Sequence, residues 1–218
     1  MNLKLRGVAC GLLLFPMGSV AQNADPDERP LLAASFTAGE ITIDGRLDEP
    51  AWRTAEKAMR FRQFQPLEAA AATQPTEVQI LYGTNSIFIG ALLRDDDPGR
   101  IQRTLGRRDE YMQADWFAVS IDSHLDRRMA YVFGVNAGGV EYDALRTEGD
   151  SGGGPGGGGD ASWNAIWDSD VRVTPEGWVV EMEIPYSLRP LPRKCISRKV
   201  ELYVSLLRST TAYSFFRS

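Results

Sequence analysis

The stretch ITIDGRLDEPAW, residues 41–52, joins a strand to a turn and then to a helix start, and it decides how the fold begins. Ile41 and Ile43 alternate with a threonine, which is typical of a short strand with one apolar face. Asp44 and Gly45 follow, and this pair favours a turn because glycine tolerates backbone angles that other residues avoid. The first half of the stretch therefore predicts a strand that ends in a tight turn.

The second half of the stretch carries helix-start signals. Asp48 precedes Glu49 and Pro50, and we expect the Asp48 carboxylate to cap the helix at the amide of Ala51, because Pro50 has no N–H. Glu49 favours the helix N-terminus through the helix dipole. Trp52 falls on the inner side of the first turn and is expected to be buried. These roles are structural, whereas a catalytic pair of carboxylates would have to face each other across a cleft.

Five later stretches alternate apolar and polar residues with the period of two that strands show. They are TEVQILY at 76–82, SIFIGALLR at 86–94, WFAVSID at 116–122, MAYVFGVN at 129–136 and WVVEMEIP at 178–185. The second is apolar on both faces, which suits a strand covered on both sides. In the last, Trp178 lies on the apolar face, and Glu181 and Glu183 are expected to face outward. Turn residues separate the stretches, so the sequence predicts an all-β sandwich or barrel.

A glycine-rich insert, GDSGGGPGGGGDAS at 149–162, lies between two of these stretches. Its composition predicts a flexible surface loop. A phosphate-binding loop would place its glycines between a strand and a helix and would end in a lysine. The insert shows neither feature.

The N-terminus has the three parts of a secretory signal. Lys4 and Arg6 come first, an apolar run follows, and small residues lead to an expected cleavage after Ala21. Residues 1–21 are therefore expected to be a signal peptide, and 22–32 a disordered lead-in. The apolar run is much shorter than the about 20 residues that a membrane-spanning helix needs.

The net charge argues against nucleic-acid binding, and the cysteine content argues against an internal disulfide. Removing the signal peptide would change the formal net charge from −5 to −7, because it takes away two basic residues and no acidic ones. An acidic, exported domain is a poor candidate for binding nucleic acid. Cys10 would leave with the signal, and Cys195 alone cannot form an internal disulfide. Stability is therefore expected to come from packing.

Four stretches in a fixed order resemble the carbohydrate-binding module family 9-like domains. They are IDGRLDEPAWRTA, TEVQILYGTNSIFIGALLRDDDP, DWFAVSIDSHLDRRMAYVFGVNAGGVEYD and WNAIWDSDVRVTPEGWVVEMEIPYS, and together they run from about residue 40 to residue 187. The resemblance implies a jelly-roll-like β-sandwich of antiparallel strands over 33–187, with one short helix near 48–55. It also implies a bacterial protein exported to the periplasm, the outer membrane or the medium.

The resemblance stops near Tyr186, and residues 188–218 form a locally basic, divergent tail. The tail is a genuine variant, the end of a truncated gene, or an out-of-frame translation. Its stretch LYVSLLR, 202–208, has the pattern of a strand, and without this strand the sandwich would have an unpaired edge. The closest family subgroup continues into a long β-rich C-terminal region, which would then be missing here.

Family members bind sugar, and a sugar site needs flat aromatic faces together with polar groups for the hydroxyls. The candidate sugar-binding residues are Trp163, Trp167, Trp116, Tyr111 and Tyr142. The alternative for each is packing in the core or at its rim, since tryptophan is mostly buried. Trp163 and Trp167 are preferred because they adjoin the glycine-rich loop. Trp52 and Trp178 are expected to pack in the core.

Some family members carry calcium, so Asp95, Asp96 and Asp97 at a strand end are candidate calcium ligands, with Asp122 and Asp126 as further donors. A solvated acidic turn is the favoured alternative, because the spacing of these residues is not that of an ordered calcium loop. We expect no other cofactor. His124 is the only histidine, and a histidine in a surface loop does not suit haem, whose site excludes water.

Three functions follow as hypotheses. The preferred one is an exported, non-catalytic carbohydrate-binding domain, accessory to polysaccharide binding or catabolism, whose partner is a polysaccharide or glycoconjugate. The second is a structural or interaction domain of a larger outer-membrane or cell-surface protein. The third is a glycoside hydrolase with paired carboxylates, although no spacing in the sequence singles out such a pair.

Overall fold

The computed structural model describes residues 32–67, 70–124, 126, 128–150, 154–155, 158–187, 201–208 and 211–215, with the backbone alone for 64–65, 201–208 and 211–215. The expected signal peptide, nearly all of the expected lead-in and residues 188–200 lie outside this description. The predictions for those segments stay predictions.

Strands dominate the described secondary structure. The strands are β1 (Ser35–Phe36), β2 (Lys57–Ala58), β3 (Arg62–Gln65), β4 (Thr76–Tyr82), β5 (Ser86–Arg94), β6 (Trp116–Asp122), β7 (Met129–Asn136), β8 (Glu141–Thr147), β9 (Asp168–Thr174), β10 (Gly177–Pro185), β11 (Glu201–Arg208) and β12 (Thr211–Phe215). The helix α1 covers Pro50–Thr54, and one 3₁₀ turn covers Pro98–Arg100. Within the described ranges, no helix is long and apolar enough to cross a lipid bilayer.

The strands form two six-stranded sheets. Sheet A has the order β1-β4-β5-β10-β9, with β2 also paired to β4, and sheet B has the order β3-β12-β11-β6-β7-β8. The strands pair in antiparallel fashion except for β1, which runs parallel to β4. The predicted all-β sandwich with one short helix is confirmed.

The main core lies between the two sheets and follows the predicted alternation. Sheet A contributes residues such as Ile80, Leu93 and Val180, and sheet B contributes residues such as Phe117 and Phe133. The core also contains Trp178, which is fully buried as predicted. Burying one large aliphatic or phenylalanine side chain contributes about 1.5–3 kcal/mol to the free energy of unfolding. This layer is the largest source of stability because it contains the most buried apolar side chains.

A second apolar layer covers the outer face of sheet A. The segment 41–55 lies across this face, where Trp52 packs with Leu81 and Phe88. The backbone of β5 approaches this segment so closely that a Cβ on Gly90 would lie 2.6 Å from the Leu47 side chain. Trp52 is buried as expected, although it belongs to this outer layer and not to the main core. The cover by segment 41–55 also explains why SIFIGALLR is apolar on both faces.

The prediction that Glu181 faces outward into solvent is wrong, because its side chain is fully buried. It lies under the segment 41–55, where Trp52 Nε1 donates to Oε1 at 3.1 Å and the Asp44 amide donates to Oε2 at 3.1 Å. Alternation placed Glu181 correctly on the outer face of sheet A. It could not show that a distant segment covers that face.

The predicted N-cap is also wrong. The N-cap residue of α1 is Glu49, which makes no side-chain capping bond, and the Asp48 carboxylate does not cap the helix. Glu49 instead accepts a hydrogen bond from the Thr42 amide at 3.1 Å, and so ties the helix start to the preceding segment. The strand predicted for 41–43 is wrong, because these residues pair with no strand that the structure describes. Gly45 does adopt the left-handed turn expected of it, with φ +71°.

A third apolar layer covers the outer face of sheet B. Trp116 and Tyr142 form its centre, with ring centroids 6.3 Å apart. Two residues of the glycine-rich insert, Gly154 and Pro155, are buried over this face. A Cβ on Gly134 would lie 3.1 Å from the Pro155 ring. Gly154 and Pro155 therefore cover this face of sheet B.

Two strands lie beyond Tyr186, in the divergent tail. β11, which contains LYVSLLR, pairs with β6 over seven residues, and β12 joins β11 to β3. The stretch 202–208 does act as a strand. Sheet B consequently has no unpaired edge at β6.

Candidate functional site

The loop 101–115 between β5 and β6 is fixed to the sandwich by polar side chains. Asp115 accepts a hydrogen bond from the Gln102 amide at 3.1 Å. The fully buried Asn136 donates to the Thr104 carbonyl at 2.8 Å, and its own oxygen accepts from the amides of Gly138 and Val140 at 2.9 Å. These bonds hold both ends of the loop, so its middle part has a defined position.

Arg108 projects from this loop to the open side of the sandwich, where the edge strands β8 and β9 face each other. Its guanidinium donates to Glu141 and Asp143 and also lies 3.6 Å from Asp109. It donates further to the Ala165 carbonyl at 3.0 Å. The side chain is 35% exposed, so part of this guanidinium still faces solvent. We call Arg108, Asp109, Glu141 and Asp143 the Arg108 cluster.

Asp143 is the buried centre of the Arg108 cluster, with a side chain that is 0% exposed. One of its oxygens accepts the Ala165 amide at 2.7 Å, and the other accepts Trp167 Nε1 at 3.2 Å. The Arg108 guanidinium lies 5.8 Å from the centre of the Trp167 ring, within cation–π range. Two of these bonds hold Ala165 and Trp167 against β8, and the bond from Arg108 ties the loop to the same carboxylate.

Asp109 has a left-handed backbone with φ +64°, which is uncommon for a residue other than glycine. Its carboxylate accepts the Asp143 amide at 3.0 Å, so the loop is bonded directly to β8. Burial raises the pKa of Asp109, and the neighbouring Arg108 opposes that rise. Such backbone strain concentrates at functional sites.

Glu141 connects the Arg108 cluster to sheet A. Its carboxylate accepts from Ser169 Oγ at 2.9 Å, and Ser169 belongs to β9. Burial raises the pKa of Glu141, while Ser169 and Arg108 act against that rise. The cluster therefore combines a part-exposed guanidinium with carboxylates that are partly shielded from water, and such groups bond strongly to polar ligands.

The aromatic candidates divide into two groups. Trp116 and Tyr142 are almost fully buried, and Trp167 is 7% exposed, so none of these rings offers a free face to a sugar; this corrects their prediction as sugar platforms. Tyr111 is 47% exposed and lies 6.0 Å from the Trp116 ring. Trp163 is half-buried against Tyr131, with ring centroids 5.0 Å apart. Tyr111 and Trp163 remain as accessible aromatic candidates.

The sequence did not single out the Arg108 cluster. Arg108 and Asp143 lie 35 residues apart along the chain, and the hydrogen bonds that join the cluster depend on the fold. One signal was available in EYDALRT, since Asp143 shares a strand face with Leu145, which packs against the main core. An acidic residue on a core-facing position indicates a buried charge with a dedicated partner.

The predicted calcium ligands do not surround a common point. Asp95 Oδ1 accepts the Asp97 amide at 2.8 Å, and Asp96 Oδ2 accepts Gln74 Nε2 at 3.0 Å. Among the residues that the structure describes, no group of three or more His, Cys, Asp or Glu side chains is placed to hold a metal ion. His124 lies in the turn after β6, where its amide bonds to Asp122 at 3.0 Å.

Comparison with solved structures identifies the class of fold. The chain is similar to a carbohydrate-binding module family 9 domain from Caldicellulosiruptor kristjanssonii in complex with glucose, with a TM-score of 0.57 and 16% sequence identity over 85% of each chain. It is also similar to such a module from the same organism in complex with cellotriose, with a TM-score of 0.55, 16% identity, and coverage of 85% of this chain and 83% of that one. No protein-family model and no curated protein sequence matches the chain.

These likenesses show a β-sandwich with the fold of family 9 carbohydrate-binding modules. They confirm the fold that the four sequence stretches implied. A fold alone does not determine what a domain binds, because binding depends on the chemistry of the site.

Proposed function

We propose that this chain is an exported, non-catalytic carbohydrate-binding domain, accessory to polysaccharide binding or catabolism in a bacterium. The Arg108 cluster carries the proposal. The similarity to modules that were solved with glucose and cellotriose supports it. Neutral glycans or glycoconjugates are the proposed partners.

The chemistry of the Arg108 cluster suits sugar hydroxyls. A guanidinium presents several N–H donors in a fixed plane, and the part-exposed carboxylates of Asp109 and Glu141 have acceptor positions beyond their structural bonds, so the two together can bond to neighbouring hydroxyls. The carboxylates hold the Arg108 fork in one orientation before a ligand arrives, which lowers the entropic cost of binding. Trp163 adds an apolar, partly accessible ring on the segment that Arg108 and Asp143 hold in place.

The same geometry argues against a hydrolase at this site. A glycosidase needs one carboxyl group as an acid and another as a base or nucleophile, both free to reach the substrate. Asp143 is fully buried and committed to structural bonds, and Glu141 and Asp109 bond to Ser169 and to backbone. We therefore propose binding without turnover.

One observation favours a second candidate function. Three of the five aromatic candidates are buried, and this is what an interaction domain of a larger outer-membrane or cell-surface protein would show. In that case the Arg108 cluster would only tie β8 to β9. A binding experiment separates the two functions.

The test is affinity gel electrophoresis of the full chain against a panel of soluble polysaccharides. The Tyr111→Ala variant and the Trp163→Ala variant run beside it, with Leu67→Ala as the control at another exposed apolar side chain. We expect retardation by at least one neutral glycan, weakened by about tenfold or more in one of the two aromatic variants, since hot-spot rings contribute 2 kcal/mol or more. A folded chain that no glycan retards would leave the interaction domain as the function.

Export is tested separately. We expect a bacterial host that secretes the full chain to remove residues 1–21, because the N-terminus has the charged, apolar and small-residue parts of a signal. N-terminal sequencing of the exported protein should begin at Gln22. A chain that stays in the cytoplasm with Met1 in place would contradict export and would leave the binding proposal intact.

A further inference from the structure

A cleft of about 370 Å³ opens at the outer face of sheet A. The turn 37–41 and the β4–β5 turn at 83–86 line it, together with Phe88 and Glu183. The volume falls within the range of small-ligand sites. None of these residues belongs to the Arg108 cluster, so a ligand in the cleft would meet a different set of groups.

Backbone bonds hold both turns of the cleft in place. The Thr37 amide donates to the Tyr82 carbonyl at 2.9 Å, which fixes the first turn to β4. The Gly83 amide donates to the Ser86 carbonyl at 2.9 Å, and this closes the second turn. Tyr186 Oη donates to the Gly83 carbonyl at 3.4 Å. The cleft is therefore formed before any ligand enters, and little ordering would be needed on binding.

The strands β5 and β10 place an apolar and an anionic side chain next to each other in the cleft. Phe88 of β5 stands directly opposite Glu183 of β10, and such cross-strand neighbours have Cβ atoms about 4.5–5.5 Å apart. Ser86 lies two residues before Phe88 on the same face, and its buried hydroxyl donates to Glu183 Oε1 at 2.6 Å. This bond orients the carboxylate before a ligand binds.

Glu183 lies just beyond the cover of sheet A. It shares the outer face of β10 with Glu181, because strand residues two positions apart point the same way. The segment 41–55 covers Glu181, and both oxygens of Glu181 accept hydrogen bonds from that segment. Glu183 is half-buried, and within the described part of the chain Ser86 is the donor to its carboxylate. A carboxylate offers about four acceptor positions, so Glu183 retains capacity for a ligand.

The cleft carries negative charge without a basic partner. The exposed Glu40 lies in the lining together with Glu183, and the described lining contains no lysine or arginine. Among the described residues, neither carboxylate is in ion-pair contact with a basic side chain. A carboxylate bonds most strongly to a cationic donor, and two carboxylates repel an anion. The cleft therefore favours a ligand with a positive charge.

We propose that this cleft binds a hydroxylated primary amine of monosaccharide size, the class to which amino sugars belong. The ammonium group donates to Glu183, and the body of the ligand packs against the neighbouring Phe88. Thr84 is exposed in the lining and adds a hydroxyl that bonds to the hydroxyls of the ligand. The inference goes beyond the proposed function, because the cleft takes a cationic ligand at a site that the Arg108 cluster does not share.

The test is a titration of the isotope-labelled full chain followed by heteronuclear NMR, which reports where each probe binds. The probes are glucosamine, glucose and glucuronate, which have similar sizes and carry a positive charge, no charge and a negative charge. The pH is kept below the pKa of the glucosamine amine. We expect glucosamine to shift the amide signals of 37–41 and 83–86, with about tenfold weaker binding of glucose at those amides. Glucuronate should leave them unshifted.

Three variants place the site. Glu183→Gln removes the charge and keeps an acceptor for Ser86, so it should weaken glucosamine binding by about tenfold. Glu148→Gln makes the same change at an exposed residue after β8, outside the lining, and should bind as the unaltered chain does. Thr84→Trp fills the cleft from an exposed position and should abolish the shifts of the cleft amides. The dispersed amide spectrum of each variant shows that it is folded.

Each contrary outcome overturns a definite statement. If glucose shifts the cleft amides as strongly as glucosamine does, the charge of the ligand is not recognised and the proposed class is wrong. If Glu183→Gln and Thr84→Trp bind glucosamine as tightly as the unaltered chain, the cleft is not the site. If no probe shifts the amides of 37–41 and 83–86, the proposal fails. Sugar binding at the Arg108 cluster is read separately, from the amides of Asp143 and Ala165, and does not depend on that result.

Discussion

Glu181 shows how a single residue can connect folding to pH. Its carboxyl group is buried beneath the segment 41–55 and accepts hydrogen bonds from Trp52 and from the Asp44 amide. Burial raises its pKa from 4.5 to about 7, although these bonds act against the rise, and the nearby Glu49 adds to it by charge repulsion. The folded chain therefore binds a proton that the unfolded chain has already released between those two values.

The sign of the pH effect follows from that difference. Where the folded state binds more protons than the unfolded state, the free energy of unfolding falls as pH rises. We expect the chain to lose about 1–3 kcal/mol between pH 5 and pH 8 from Glu181 alone. In the Glu181→Gln variant this loss should disappear, because glutamine does not titrate. Urea unfolding at both pH values, followed by tryptophan fluorescence, measures it.

Glutamine also removes an acceptor from the site. One amide N–H would face the Asp44 N–H, so Glu181→Gln should be less stable than the unaltered chain at pH 5 by about 1–3 kcal/mol. The two curves should converge at pH 8. Parallel pH profiles for the two proteins would show that Glu181 does not titrate in this range.

Residues of this kind limit what a sequence can predict. Alternation placed Val180, Met182 and Ile184 on the core face correctly, because that face is buried in any sandwich. It placed Glu181 on the opposite face, and that face was expected to be exposed to solvent. The cover comes from residues more than a hundred positions away, and no local pattern records such a contact. The Asp48 cap failed for a related reason, since Glu49 has a competing partner in Thr42.

Among the elements, the loop 101–115 is anchored to the sandwich in part by one buried side chain. Asn136 at the end of β7 is fully buried, and its amide group bonds to Thr104, Gly138 and Val140. Asn136→Ala would remove this partner from the buried Val140 amide, the part-buried Gly138 amide and the Thr104 carbonyl, at about 1–3 kcal/mol for each buried group that stays unpaired. We expect a loss of about 2–4 kcal/mol of stability, which thermal unfolding would measure.

The loop also gives this variant a second readout. If the loop positions Arg108 for binding, Asn136→Ala should weaken retention by the glycan that retards the unaltered chain, under conditions where the variant stays folded. A second variant is Asn136→Asp, which keeps the acceptor for Gly138 and Val140 but loses the donor to Thr104 and brings a carboxyl group to a fully buried position. An Asn136→Ala protein with unchanged stability would show that the loop does not need this anchor.

Half of the twelve described strands were predictable from the sequence, and the candidate site only partly so. β4, β5, β6, β7 and β10 follow from apolar alternation within their own stretches, and β11 follows from the pattern of LYVSLLR. The remaining strands were not predicted from such a pattern. The Arg108 cluster joins a loop residue to strand residues from another part of the chain, and its existence depends on the sandwich closing first. Aromatic residues near the glycine-rich loop were easy to find, but their exposure was not predictable from their position.

At the scale of the whole molecule, the tail decides whether sheet B can form. β11 lies between β6 and β12, and β12 connects this pair to β3. A chain that ends after Ser187 would lose both β11 and β12. β6 would then present a row of unpaired backbone groups along its length, and β3 would have no neighbour in the sheet. An exposed edge of this kind invites pairing with other chains.

We therefore expect a chain truncated after Ser187 to aggregate or to remain unfolded, while the full chain is monodisperse. Size-exclusion chromatography with light scattering, together with circular dichroism, measures both properties. The matched control removes only residues 216–218, which follow β12, and it should behave as the full chain does. The pairing of seven residues between β11 and β6 is the physical reason, since it supplies the hydrogen bonds that the inner strand β6 needs on that side. A monomeric, cooperatively folding chain of residues 1–187 would show instead that sheet A and the remaining strands of sheet B hold the sandwich together without the tail.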